Sequence, residues 1–201
     1  MNEHIARTSK DMVDIGKLFQ KSWGLFQSKP VEHLVVSLIV FVLSMVSLGL
    51  LFGPLSVGQI RMIEKQQRGE AIAINDVFAG FASFGSAFLT TLIIFVGVFI
   101  GMLLLVLPGV LVGLAWGFAI WFVALENASP TAALAGSWQL LKNNTVSVLV
   151  VFVLLGVVNA VAGTVVLATL ITAPLSMIFG TVAYQEMVGS TPNTVGAGRP
   201  L

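Results

Sequence analysis

Residues 86–125 read SAFLTTLIIFVGVFIGMLLLVLPGVLVGLAWGFAIWFVAL, forty positions without a charged side chain and with one Pro-Gly pair, Pro108-Gly109, near the middle. A helix needs about twenty apolar residues to cross the hydrocarbon core of a bilayer. The stretch therefore predicts two crossings joined by a tight turn at Pro108-Gly109. The rest of the chain is read outward from this hairpin.

The composition agrees with it. Of 201 residues 57% are hydrophobic and 9% charged, and the mean hydropathy is +0.98, whereas soluble domains carry about a quarter charged residues. A formal net charge of +1 lacks the concentrated basic face that phosphate backbones require, so no nucleic-acid partner is expected. Cysteine is absent, which removes disulfides, thiolate metal sites and cysteine nucleophiles. The first thirty residues hold no uninterrupted apolar run, so they predict a retained, cytoplasmic start and no secretory signal.

Upstream, residues 1–11 are polar and predict a disordered lead. Ile15, Leu18, Phe19, Trp23 and Phe26 then recur at helical spacing, with Lys17, Gln20, Lys21 and Gln27 on the other face. That is an amphipathic helix for the headgroup layer, either a plain anchor through Trp23 or a lipid-sensing or partner-binding helix. A charge-free run from 33 to 60 follows, containing Gly53-Pro54-Leu55 and ending at Arg61, Glu64, Lys65 and Arg68. It is too long for one crossing and short for two. One reading ends a single crossing near Phe52; the other makes a hairpin turning at Gly53-Pro54 and lets Arg61 snorkel to water.

A faint repeat decides for the hairpin. Ser22-Trp23-Gly24-Leu25-Phe26 recurs as Ser137-Trp138-Gln139-Leu140-Leu141, and Gly53-Pro54-Leu55-Ser56 as Ala173-Pro174-Leu175-Ser176. The later copy has an uncharged span from 143 to 185, ample for two crossings with a turn at Pro174. Between the copies, Asn75 and Asp76 offer a helix N-terminus, and Phe78, Phe81 and Phe84 a short apolar face. Ser129-Pro130 is an N-cap followed by proline at the first helical position, opening a second amphipathic helix that carries Trp138.

The predicted architecture is all-α: a polytopic transmembrane bundle of six crossings as three hairpins, each preceded by an interfacial helix. One transmembrane domain spans 12–187, in units of about 12–67, 74–126 and 129–187, and a flexible tail takes 188–201. With six crossings Lys10, Lys17, Lys21, Lys29, Arg61, Lys65, Arg68, Lys142 and Arg199 share one face, which the positive-inside rule makes cytoplasmic, with both termini. Five crossings would place the cluster from Arg61 to Arg68 outside.

Small residues four apart, Gly97 with Gly101 and Gly109 with Gly113 and Gly117, predict close helix packing, within the chain or as a homo-oligomer face. Asn159, with Thr164 and Thr169 beyond it and Ser44 at the repeat-related position, is the candidate polar intramembrane site, read as interhelical glue ahead of a substrate site. No ionisable residue falls near mid-membrane, which argues against proton-coupled transport. Glu126 and Glu186 each end a crossing, with no neighbouring acid or base in sequence, and read as markers of the water boundary. His4 and His33 stand alone near the polar edge. No phosphate loop, nucleophile elbow or metalloprotease motif occurs. No enzyme activity, cofactor or metal is expected.

The run from the Trp23 helix onward resembles the YciC-like families of bacterial integral membrane proteins and the membrane domain of some glycerophosphodiester phosphodiesterases. The matching residues are Gly53-Pro54-Leu55 with Gly58, Arg68-Gly69-Glu70, Asp76 with Phe78, Gly80 and Phe81, Pro108-Gly109, and Glu126-Asn127-Ala128-Ser129-Pro130 with Ala133, Ser137, Trp138 and Lys142. The resemblance implies a six-helix membrane fold and no established activity; no phosphodiesterase domain is attached. The expectation is an inner-membrane protein, without catalysis, that binds lipid or a protein partner through its cytoplasmic face. A small-solute transporter or channel is the alternative, suggested by repeats and proline-broken helices.

Overall fold

Asp14 begins the first helix, its carboxylate accepting from the Lys17 amide at 3.2 Å. The computed structural model describes residues 13–162 and 166–190, and these form helices and no strand. Residues 1–11, His4, Lys10, Thr164, the side chain of Thr169, Arg199 and the tail beyond 190 lie outside the described part.

Helix α1 (Ile15–Ser28) buries Leu18, Ser22 and Phe26, whereas Phe19 and Trp23, which the spacing sets on the same apolar face, are exposed. At Lys29 the chain bends by 93° into α2 (Pro30–Val46). Helix α3 (Phe52–Gln67) returns antiparallel to α2: His33 Nε2 lies 2.8 Å from Gln66 Oε1, and Gln59 Nε2 donates to Ser37 Oγ at 2.9 Å. A 3-10 helix (Ile74–Ser83) leads into α4 (Phe84–Leu104), and α5 (Val106–Trp116) with α6 (Ala119–Glu126) returns. Last come α7 (Pro130–Asn143), a bend of 105°, α8 (Thr145–Ala162) and α9 (Val166–Ser190).

The same hinge recurs three times. Lys29 (φ −145°, ψ 57°), Ser83 (φ −112°, ψ 28°) and Asn144 (φ −129°, ψ 40°) each close a leading helix and open an outgoing one. Ser22 and Ser137, the repeated serines, both stand seven residues before their hinge, and both are buried beside an exposed Trp. The repeat in sequence is thus a repeat in backbone geometry.

The prolines do not make the turns. The first reversal lies at 47–51, where Leu48 (φ 52°) and Gly49 (φ 86°) adopt the left-handed conformation and the Gly49 amide donates to Ser44 O at 2.7 Å. Gly53 and Pro54 already belong to the first turn of α3. The second reversal is at Leu105, whose extended backbone separates α4 from α5, so Pro108 and Gly109 lie inside α5. Pro174 sits well inside α9. The expected turns at Gly53-Pro54, Pro108-Gly109 and Pro174 are corrected accordingly. A proline in the first helical turn forfeits no hydrogen bond, because that N–H has no intrahelical acceptor. Pro54 and Pro108 therefore mark where the returning arm starts.

Smaller corrections follow the same logic. Ala73, not Asn75 or Asp76, precedes the 3-10 helix; Asp76 reaches back to the Ala73 amide at 2.8 Å. Helix α9 runs to Ser190, so residues 188–190 are helix and not tail.

By length and composition two segments, Ile74–Leu104 and Val106–Glu126, suffice to cross a membrane, and up to four do if each bent pair, α1 with α2 and α7 with α8, counts as one span. Among the described residues six are not reached on this measure. Neither α3, with 16 residues and only ~25 Å long at 1.5 Å per residue against a core of about 30 Å, nor the described part of α9 is among these segments.

Packing is uneven along the bundle. The buried core, including Leu18, Ile60, Phe122, Leu140, Val151, Ile178 and Met187, draws on every unit. It lies toward the hinges. At the opposite end Leu48 is 93% exposed, and Leu103, Leu104, Leu105, Val106 and Leu107 are each about 70% exposed. An uninterrupted apolar surface of this kind marks contact with membrane or partner.

Candidate functional site

Arg61 gathers the hinge end. Carried by α3, its Nε donates to Ala124 O at 2.9 Å near the end of α6, and its Nη2 to Asn127 Oδ1 at 2.7 Å just beyond. Nη2 also donates to Ser83 Oγ at 2.7 Å, the hinge before α4, and Nη1 to Ala79 O at 3.3 Å in the 3-10 helix. All four acceptors are neutral. Among the described residues no carboxylate lies within ion-pair reach of Arg61.

Its neighbours are neutralised. Lys65 pairs with Asp76 at 3.1 Å, and Arg68 with Glu64 at 3.1 Å and Glu70 at 2.6 Å. The Glu70 hydrogen bond favours the charged guanidinium of Arg68 and raises its pKa further. Arg61, Lys65, Arg68, Glu64, Asp76 and Asn127 face a cavity of about 310 Å³, one positive charge in excess. The 3-10 helix that supplies Asp76 and Ala79 to its wall also carries, with the start of α4, an exposed row of Phe78, Phe81 and Phe84, ring centroids 6.3 and 6.0 Å apart.

Three further contacts lock this end. Gln66 Nε2 donates to Leu25 O and Ser28 Oγ, both at 2.8 Å, while its oxygen meets the fully buried His33. His33, expected to stand alone, is instead packed between α1, α2 and α3 through Phe26 and Gln66. Tyr184 of α9 donates to Glu126 Oε1 at 2.6 Å, so Glu126 is an interhelical acceptor. The Val13 amide lies 3.3 Å from Ser147 Oγ, tying the start of α1 to α8.

The other expected residues divide. A Cβ on Gly97 would meet Trp116 at 2.5 Å and one on Gly101 the Gly109 Cα at 2.7 Å, and a Cβ on Gly109 or Gly117 would strike Met102 or Phe152. These four serve packing within the chain. Gly113 does not, its nearest neighbour being Val98 at 3.9 Å. Trp23 is 38% and Trp138 47% exposed; Trp23 stacks on Phe19, and Lys142 Nζ lies 5.8 Å over the Trp138 ring. Asn159 Nδ2 donates to its own helix at Leu155 O (2.7 Å) and across to Ser176 Oγ (3.0 Å), joining α8 to α9.

Tighter than any of these are Gly58, whose Cβ would enter the Val77 carbonyl, and Gly80, whose Cβ would enter that of Pro54. Neither contact shows in the sequence, since it joins two elements and leaves no spacing within either.

A family model described as a domain of unknown function (DUF7847) matches residues 62–197. The chain belongs to this family. The match takes in Lys65, Arg68, Asp76 and both later units, and begins one residue after Arg61. No curated protein and no solved structure matches the chain.

Proposed function

We propose that the protein is a multi-pass protein of a bacterial inner membrane, acting without catalysis, whose charged end is the working surface for lipid or a protein partner. The observation that carries this reading is one-sidedness. The leading helices, hinges and returning ends are tied together around Arg61, Gln66 and Glu126. The reversals at 47–51 and 105 carry no charge and project bare leucine. By the positive-inside rule the charged end faces the cytoplasm.

On this reading all three hairpins cross, giving six arms. The short first hairpin is accommodated by local thinning of the bilayer, at a fraction of a kcal/mol per Å, with Arg61 held at the boundary. The resemblance to YciC-like proteins implies the same count. Cysteine scanning tests it, since the chain has no cysteine of its own. In intact cells Gln67→Cys should resist an impermeant maleimide and Leu48→Cys should not be shielded by the cytoplasm; labelling of Gln67→Cys defeats the topology. Purification that finds neither a specific protein nor a lipid dependence defeats the binding role.

A second reading, a small-solute transporter or channel, draws on one observation. A cavity of about 380 Å³ between α2, α3 and α9 carries Ser37, Ser44 and Gln59 in an otherwise apolar lining, and the buried Ser44 hydroxyl has no partner among the described residues. Solute flux in proteoliposomes that is lost in Gln59→Leu would favour it.

A further inference from the structure

Arg61 uses four of its five N–H groups on neutral acceptors. Among the described residues the second N–H of Nη1 has no acceptor and the unit charge is unopposed within ion-pair distance. These acceptors fix the guanidinium without neutralising it, which is how an arginine is prepared for an incoming anion. It opens on a cavity of about 310 Å³, well above the roughly 30 Å³ share of one water. Lys65, though paired with Asp76, is a second cation on the same wall.

We infer that this cavity binds the phosphate of an anionic glycerophospholipid, with Arg61 as its principal ligand. The inference rests on the reading that the hinge end lies in the cytoplasmic headgroup layer. A lipid is favoured over a free phosphate by the cavity's surroundings. The exposed Phe78, Phe81 and Phe84 row runs along the 3-10 helix and the first residue of α4, and Ala79 of that same helix lines the cavity and gives its carbonyl to Arg61. A phosphate at Arg61 places acyl chains along exposed aromatic surface; a free anion has no use for that surface.

Arg61 itself is a poor position to mutate first, because it joins three elements. Ala79 is exposed, lines the cavity and contributes only its backbone. Ala79→Glu sets a carboxylate against the guanidinium, and Ala79→Gln adds the same bulk without charge. The full chain in detergent is titrated with dioctanoyl phosphatidylglycerol, dioctanoyl phosphatidylcholine and inorganic phosphate, reading the thermal midpoint. Phosphatidylglycerol should bind about fivefold more tightly than phosphatidylcholine, the weight of one basic side chain at an anionic surface. That preference should vanish in Ala79→Glu and survive in Ala79→Gln. Equal response to the two lipids, a preference untouched by Ala79→Glu, or inorganic phosphate matching phosphatidylglycerol overturns the site. Cysteine labelling at Gln67 reports separately on the topology, so the site can fail while the membrane reading stands.

Discussion

Ser137 repairs a break in a helix to which it does not belong. Its hydroxyl donates to the Ala115 carbonyl at 2.8 Å and accepts from the Phe118 amide at 3.2 Å, where the return arm parts into α5 and α6. A buried interruption is tolerated when a neighbouring side chain satisfies the freed backbone groups, and α7 supplies that side chain. Ser137→Ala should cost about 1–3 kcal/mol, the usual penalty for orphaning buried polar groups, and lower the thermal midpoint in detergent. The repeat-related Ser22 is equally buried but its hydroxyl has no partner among the described residues. Ser22→Ala should be close to neutral in the same assay.

Backbone proximity sets a second contrast. At Gly58 and Gly80 an added methyl meets carbonyl backbone that cannot rotate away. Gly58→Ala and Gly80→Ala should each destabilise by about 1–3 kcal/mol, as overpacking does. At Gly113 there is room, and Gly113→Ala should be neutral or gain up to about 1 kcal/mol from helix propensity. Chemical unfolding of the three variants side by side checks the ordering; a costly Gly113→Ala would show that face to be occupied.

The first reversal gives a test of where the chain turns. Gly49 has φ 86° and open space around it, so Gly49→Ala loses only through backbone strain, about 1 kcal/mol. Leu48, at φ 52° and almost wholly exposed, should accept Asn with a small gain in stability. A neutral Gly49→Ala would return the turn to Gly53-Pro54.

Acid should loosen the first helix. The Lys17 amide holds the Asp14 carboxyl below its ordinary value of 3.8. A carboxyl depressed on folding contributes stability that is complete above the ordinary value and is lost as pH falls through the native one. The difference in thermal midpoint between the natural protein and Asp14→Asn should therefore be present at pH 7 and shrink below pH 4. A difference that grows on acidification contradicts the capping role.

Much of this architecture is visible before any coordinates. The uncharged run 86–125 yields α4, α5 and α6, Ser129-Pro130 yields the start of α7, and the paired Ser-Trp motifs yield the leading helices with their hinges. What misleads is punctuation: a proline after an apolar run looks like a turn, yet Pro54 and Pro108 suit the first turn of a helix better. The role of Arg61 is hidden for another reason. Its four partner residues, Ala79, Ser83, Ala124 and Asn127, carry no charge and lie 18 to 66 residues from it in sequence, and a carbonyl acceptor has no signature in side-chain sequence. Gly58 and Gly80 are silent likewise, because close approach between separate elements imposes no period on either.

The uneven packing described above has a practical meaning. Near the hinges side chains hold one another; from Leu103 to Leu107 they face outward, and on the membrane reading proposed above that half of the molecule borrows cohesion from its solvent. Replacing lipid by a short-chain surfactant should accordingly loosen the distal tips while the Arg61 region keeps its order, a gradient that hydrogen exchange along α4 and α5 would display.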